Sequence, residues 1–519
     1  MSNLDVIKES IQYEQLIKQS SSNIVLKDEY LIPDTHPDVE EILCIESKPI
    51  ILSKEIIGDK VVIEGKIEYT AMYLSKEDGN SVNSVSYTQK FSNNIDLNSG
   101  EHKIICEADS KIEHIEAAIM NERKIAIQGI LTLNWELYKE KEVEFVIDIE
   151  GNDKVQIQKK IETINKVHAN DEIDMTGKSI IRIGMDKPQI NKLLKCGFLL
   201  HKKEVKISDN RIYLGCYCKI NILYKGDNNE VVCIDDDIYM SKEEEIEGIT
   251  NEMTSDIFIK LVDDEIMLEE DDLGEVRIIN TEIAAKAQIK IASNEKIEII
   301  KDAYSPEELI ELKQSEYSIG MIQGNKITDT VVKDTIQLGE GELRPEQIIS
   351  TDAVSIITDK EVKKDRVEIE GIIKAGILYK TSDSDKYLAN TQGEIPFSAM
   401  IEITGANEGM DVIVKSTIDN IETLIEGSSI SVKATIALNA KVLYEEKKIF
   451  ISDVTEIEGE KPTKNASIII YAVGEGDNLW GLAKKFNTTI DELVKINSIE
   501  NPDYLEIGQK LIIPGRAKF

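Results

Sequence analysis

The sequence predicts a mainly β protein: three tandem antiparallel β-sandwich or barrel-like repeats followed by a small βααβ module. Three observations predict this. One strand-like string occurs three times at a domain-sized spacing, each copy alternates apolar and polar residues, and the last fifty residues change from a strand period to a helical one and back. At 519 residues the chain is also too long for a single hydrophobic core.

The repeated string is VVIEGKIEYTAMYL from Val61, IYLGCYCKINILY from Ile212 and VEIEGIIKAGILY from Val367. Its final tyrosines, Tyr73, Tyr224 and Tyr379, are 151 and 155 residues apart. In the first copy Val61, Ile63, Gly65, Ile67, Tyr69, Ala71 and Tyr73 share one face of a strand, and Glu64, Lys66, Glu68 and Thr70 the other. Ahead of each copy is a proline-led segment, beginning at Pro37, Pro188 and Pro345, and the spacing predicts a short helix there because proline suits a first helical turn. Copies one and three match again in KFSNNIDL and PFSAMIEI, around Phe91 and Phe397, and in the long runs from Ile125 and Ile430. Copy two diverges, with an acidic run from Asp263 to Val276 before a strand-like RIINTEIAAKAQIKI. Turns are expected at 77–80 and 226–228, and a short amphipathic connector at 305–320 capped by Ser305. The resulting divisions are 1–160, 161–320, 321–460 and 466–516.

Hydrophobic content of 41% describes ordinary globular modules. Nearly all of the net charge of −36 lies before Ala466, and such a surface repels nucleic acid and anionic lipid. The opening MSNLDVIKESIQYEQ has no apolar core, and no run approaches the roughly 20 apolar residues that span a bilayer, so a cytoplasmic protein without integral membrane association is expected.

In the C-terminal module, 468–473 is a β-branched run ending at Gly474 and Gly476, which predicts a strand and a tight turn. Asp477 or Asn478 can cap a first helix whose apolar residues are Leu479, Leu482, Ala483 and Phe486. Thr489 and Glu492 form a capping-box pattern for a second helix, with Leu493, Val494 and Ile496 as its buried face and Asn497 as its stop. A final apolar run, 511–514, can pair with the first strand. This order, with Gly476-Asp477, Leu479-Trp480, Asn497 and Ile507-Gly508-Gln509, closely resembles the LysM family, whose members mostly bind N-acetylglucosamine-containing glycans. Family members usually carry Ser or Thr where this chain has Asn478. Trp480 has two readings, as a core side chain or as a rim-exposed partner anchor.

The repeats, especially LIPDTHPDVEEIL from Leu31, resemble the SPOCS-type domains of spore-forming Firmicutes. Tandem SPOCS-like repeats before one LysM unit are similar to the clostridial SpoIVA-interacting spore morphogenetic proteins. That resemblance implies a mother-cell factor at the outer forespore membrane surface, which binds the coat ATPase SpoIVA through its LysM unit and supports coat attachment and cortex formation. It points to Ile468, Gly476, Asp477, Asn478, Leu479 and Trp480 as partner-binding residues.

No HExxH, phosphate loop or nucleophile elbow occurs, so no catalytic residue, metal or cofactor is expected. Cys216 and Cys218 form a CxC, yet the repeat register puts them on an inward strand face, where core packing is the expectation. The five histidines, His36 in its turn among them, have no partners at ligand spacing, and the acidic runs at 235–237, 243–245 and 269–272 suit solvated strand edges or hairpin tips. Two classes of function remain: an intracellular scaffold whose LysM unit grips a protein, and a peptidoglycan-binding protein whose repeats are a spacer.

Overall fold

Eighteen long strands in three equivalent sets build the body of the protein. The computed structural model describes residues 4–75, 81–97, 103–150, 155–339, 341–383, 386–459 and 468–515. The first set is β1 (Asp5–Leu31), β2 (Val39–Ile57), β3 (Lys60–Ser75), β4 (Val82–Asp96), β5 (Ile104–Asn121) and β6 (Lys124–Glu150). The second is β7 (Gln156–Arg182), β8 (Ile190–Ser208), β9 (Arg211–Gly226), β10 (Val231–Glu245), β11 (Thr254–Glu270) and β12 (Val276–Tyr304). The third is β13 (Ile310–Gln337), β14 (Pro345–Lys363), β15 (Arg366–Thr381), β16 (Leu388–Glu402), β17 (Asp411–Glu426) and β18 (Ser429–Glu456). Each set forms two antiparallel three-stranded sheets, in order β2-β3-β4 and β1-β6-β5 for the first and likewise for the others. The mainly β architecture is as expected.

The inward alternation of β3 holds throughout, with Val61, Ile63, Ile67, Tyr69, Ala71 and Tyr73 all buried. Tyr73, Tyr224 and Tyr379 occupy equivalent places on β3, β9 and β15. Each hydroxyl donates to a backbone carbonyl 36 residues upstream: Pro37 at 3.1 Å, Pro188 at 2.9 Å and Leu343 at 3.0 Å. Every repeat therefore pins its own entry loop with the tyrosine that ends its central strand. Cys216 and Cys218 are buried on β9, as the register required. Gly65 and Gly371 face Phe91 and Phe397 across the sheet, and a Cβ at either glycine would collide with that ring and with a carbonyl oxygen. In the second repeat Cys216 faces Met240, so a larger residue on β9 is matched by a thinner, more flexible one on β10.

Two expectations about the body are corrected. The proline-led segments are not helices: 39–43, 190–194 and 345–349 are the first residues of β2, β8 and β14. Each carries two register shifts three residues apart, as between Val39 and Glu41 and between Ile42 and Cys44. A double bulge places apolar residues such as Val39 and Leu43 at an interval of four, which imitates a helical stripe. The connector at 305–320 is a bend followed by β13; Ser305 Oγ does accept from the N–H groups of Glu307 (3.3 Å) and Glu308 (3.2 Å), but a strand follows that turn. The turn at 226–228 forms, whereas 77–80 lies outside the described residues.

The longest strands reach beyond their sheets. β5 begins opposite Lys139, yet β1 and β6 stay paired as far as Asp5 and Glu150, a two-stranded ribbon past the end of the sandwich. β7 with β12 and β13 with β18 make equivalent ribbons. The three ribbons pack into a common stalk around Tyr13, Phe145, Ile164, Ile299, Ile319 and Phe450, with the two phenylalanine rings 5.4 Å apart. Above it each repeat touches both of the others. An apolar layer of Leu43, Met72, Leu194, Leu223, Ile349 and Leu378 takes equivalent residues from all three repeats.

Between the two apolar layers lie charged ones. Lys195 of the second repeat contacts Asp352 of the third and lies 3.9 Å from Glu46 of the first. Lys441 contacts Asp256, and its ammonium is 3.4 Å from the Tyr138 hydroxyl, again one residue from each repeat. Lys290 sits over the Tyr138 ring, 3.9 Å from its centre, and pairs with Glu107 at 3.2 Å. A cavity of about 60 Å³ opens here between Glu14, Asn165, Asp256, Lys290, Asn325 and Lys441. These buried lysines and their partners fix how the repeats meet, since a shifted register would strand the ammonium groups away from both water and a carboxylate.

Candidate partner-binding site

The C-terminal module is β19 (Ile468–Ala472), α1 (Leu479–Lys485), α2 (Ile490–Asn497) and β20 (Lys510–Pro514), with β19 and β20 antiparallel. The tight turn after β19 is held from inside. Asp477 Oδ2 accepts from the Tyr471 hydroxyl at 2.9 Å and from Gly474 N–H at 2.7 Å, and Gly476 takes φ +84°, which suits glycine. The Gly474 N–H and then the Tyr471 hydroxyl hold the Asp477 carboxyl below the usual range. Of the two candidate caps, Asn478 is the one used: its Oδ1 accepts from Gly481 N–H at 2.8 Å. Thr489 Oγ1 caps α2 by accepting from Glu492 N–H at 3.1 Å. Asn497 ends α2 and also ties it to β20, donating to the carbonyl of Ile512 (2.8 Å) and accepting from its N–H (2.6 Å).

The six candidate residues are not one surface. Gly476, Asp477 and Asn478 build the turn and the cap. Leu479 is 3% exposed, a core residue with Leu482, Ala483 and Leu493, so it presents no surface to a partner. Trp480 does not stand free at a rim. Its indole N–H donates to Asp302 Oδ2 at 2.9 Å, and its ring meets Tyr304 edge-on at 5.0 Å, both from the end of β12. Ile468 is 65% exposed, as expected of the strand's start. Ile496, expected on the buried face of α2, is exposed, and Ile490 packs against the core instead.

Sequence reasoning missed what surrounds Ile468. Ile470 is 70% exposed and pairs with Ile512, itself exposed, while Ile468 pairs with Pro514. Strand alternation puts Ile468 and Ile470 on one face, so the small sheet carries an apolar strip on its solvent side. The run of isoleucines was a legible strand signal, but without phase it could not say which of them face out. A strip of this kind can bury aliphatic surface against a partner and offers no ionisable group for chemistry.

Elsewhere the described residues bring together no metal-binding cluster and no activated thiol. Among the described residues no group of three or more His, Cys, Asp or Glu is placed to hold a metal. Burial pushes the Cys216 thiol up to about 11 and Cys218 to about 12, so both are poor nucleophiles. The acidic runs at 235–237, 243–245 and 269–270 lie on β10 and β11, which are sheet edges.

Comparison with known proteins finds matches in both the body and the C-terminal module. Residues 38–120, 189–268 and 345–426 match the family described as SipL, SPOCS domain, and 471–514 match the LysM domain. The chain carries three SPOCS domains of the SipL family and one LysM domain. In each repeat the SPOCS match runs from the second strand to the fifth, so β1 and β6, which make the stalk, lie outside it. Three relatives by sequence resemble the LysM unit. A cortical fragment-lytic enzyme of Bacillus subtilis is 40% identical over 50 residues, which is 10% of this chain and 12% of that protein. The secreted LysM effector ECP6 of Passalora fulva is 44% identical over 50 residues, 10% of this chain and 22% of the effector. An endolysin of Bacillus phage PZA is 46% identical over 46 residues, 9% of this chain and 18% of the endolysin. The chain thus spans less than a quarter of each of these relatives. No solved structure matches it significantly.

Proposed function

We propose that this chain is a non-enzymatic spore morphogenesis scaffold whose LysM unit binds a protein, the coat ATPase SpoIVA, and so supports coat attachment and cortex formation around the forespore. It works in the mother cell, at the outer forespore membrane surface. The observation that carries a protein partner over a glycan is the isoleucine strip of Ile468, Ile470 and Ile512. Aliphatic side chains on a flat two-stranded sheet suit another protein's apolar surface; sugars are usually held by polar groups and aromatic faces in a cleft. The SPOCS–LysM architecture supports the choice of partner. The stalk supports a scaffold role, because it sets the LysM unit at the far end from the apolar layer that joins the three repeats.

The test is capture of SpoIVA from sporulating cells by the tagged full-length protein and by Ile470→Arg. Loss of a central anchor costs about 2 kcal/mol or more in binding, so Ile470→Arg should remove most of the captured partner while the module stays folded. Undiminished capture would remove the strip as the contact surface, and chitin-oligomer binding by wild type without SpoIVA capture would replace this reading with the glycan one.

A further inference from the structure

We infer that the second repeat, through the stalk strand that follows its SPOCS domain, supplies part of the LysM core and seats the module in one orientation, with Tyr304, Asp302 and Trp480 as positioning residues. Tyr304, the last residue of β12, is 5% exposed and packs among Val473, Leu479, Leu482 and Leu493 of the module. Its hydroxyl donates to the carbonyl of Thr488 at 2.8 Å, and Thr488 is itself fully buried. Trp480 lies edge-on to the same ring, and its indole N–H reaches Asp302. Lys484, one helical turn further on, donates to both Asp302 oxygens at 2.7 and 2.8 Å. One carboxylate thereby holds two side chains of α1, while the neighbouring ring enters the module's core.

The other two repeats show why the seat lies where it does. Each long final strand has a bulge near its end, followed by an aspartate: Asp148 on β6, Asp302 on β12 and Asp453 on β18. On β6 and β18 that aspartate accepts from the next backbone N–H, Ile149 at 2.9 Å and Val454 at 3.1 Å, and lies beside a lysine of the stalk, Lys159 at 3.3 Å and Lys8 at 3.6 Å. Two residues on stand Glu150 and Thr455 where the middle ribbon has Tyr304. At this position an aromatic residue that can enter an apolar core is thus present on one ribbon of three, and the pseudo-equivalent stalk ends are not interchangeable seats.

The seat leaves Ile468, Ile470 and Ile512 uncovered, so it aims the strip without blocking it. Resting on the proposed function, this means that a Trp480 substitution lowers partner capture by loosening the module, with no contact between indole and partner.

The experiment is amide hydrogen exchange on the full-length protein, comparing wild type, Tyr304→Ala and Asp302→Ala. Tyr304→Ala should speed exchange in α1 and α2 by about tenfold or more while β3, β9 and β15 keep their protection, because local opening is governed by local contacts. Asp302→Ala, which removes no core atom, should speed exchange in α1 and lower partner capture in the same direction as Trp480→Phe. If Tyr304→Ala disrupts the body, Asp302→Ala decides. Unchanged protection of α1 in Asp302→Ala, with capture intact, would overturn the seat. Failure of wild type to capture any partner would sink the proposed function alone, since the exchange readout does not involve a partner.

Discussion

Replacing Lys441 by Met tests whether the charged layer sets how the repeats meet. The Lys441 side chain is 5% exposed and that of its partner Asp256 is 15% exposed, on different repeats. Two opposite charges about 4 Å apart at an effective dielectric of about 20 attract by about 4 kcal/mol, and an attraction of that order is offset in the wild type by the cost of taking both charges from water. Met fills similar volume but leaves Asp256 ionised and short of a cation, so the single substitution should cost about 3–5 kcal/mol. Lys441→Met with Asp256→Asn removes both charges and should cost much less than the two single changes together. In the wild type, burial raises the Asp256 carboxyl, but Lys441, Lys415 and Lys290 outweigh it and hold it below the usual carboxylate range. Its stabilising contribution is therefore present above its unfolded value and lost as pH falls through the lower folded one. Without Lys441 burial dominates, the folded value rises, and the deficit should shrink on acidification. Urea unfolding at several pH values, followed by circular dichroism, measures each of these. A cost below about 1 kcal/mol at neutral pH, or a double variant as damaged as the sum of the singles, would refute the assigned role of the pair.

Glu46 should behave in the opposite sense. Burial is the largest influence on it and, though Lys195 opposes, lifts its carboxyl to about 7, so charged Glu46 weakens the fold fully above that pH, and the penalty shrinks as pH falls from there towards the lower unfolded value. Glu46→Gln should therefore stabilise the protein at pH 8, with an advantage that fades below pH 7 in the same unfolding assay. Tyr224→Phe removes the bond to Pro188 and should cost about 0.5–1.5 kcal/mol, with Tyr73→Phe and Tyr379→Phe costing similar amounts because the bond recurs. Gly65→Ala should destabilise by about 1–3 kcal/mol through its clash with Phe91, measured by thermal unfolding, and Gly65→Ala with Phe91→Leu should recover part of the loss. Cys216 and Cys218 should resist alkylation in the native protein at pH 8 and react on unfolding, a contrast read by mass spectrometry after timed labelling.

Alternation is a local property of a strand, and for that reason the chain by itself determined the three repeats, the inward faces of β3, β9 and β15, the burial of Cys216 and Cys218, and the order of elements in the LysM unit. It failed where phase depends on a partner strand. The double bulges at Val39, Ile190 and Pro345 became helices on paper, because a bulge is visible only against the strand it disturbs. At the candidate site, Asn478 and Thr489 were legible as caps, since a cap is a bond between neighbours in the chain. Which isoleucine of 468–470 faces solvent was not, because that phase comes from pairing with β20. Trp480 shows the widest gap. Its indole is satisfied by Asp302, 178 residues away, across the ends of a ribbon that the local pattern reveals as strand and nothing more. The tertiary structure alone decided that three ribbons pack into one stalk, that oppositely charged residues from separate repeats meet above it, and that Tyr304 enters the LysM core. Each of these is a contact between segments whose separate patterns are already satisfied, and nothing in either segment names the other.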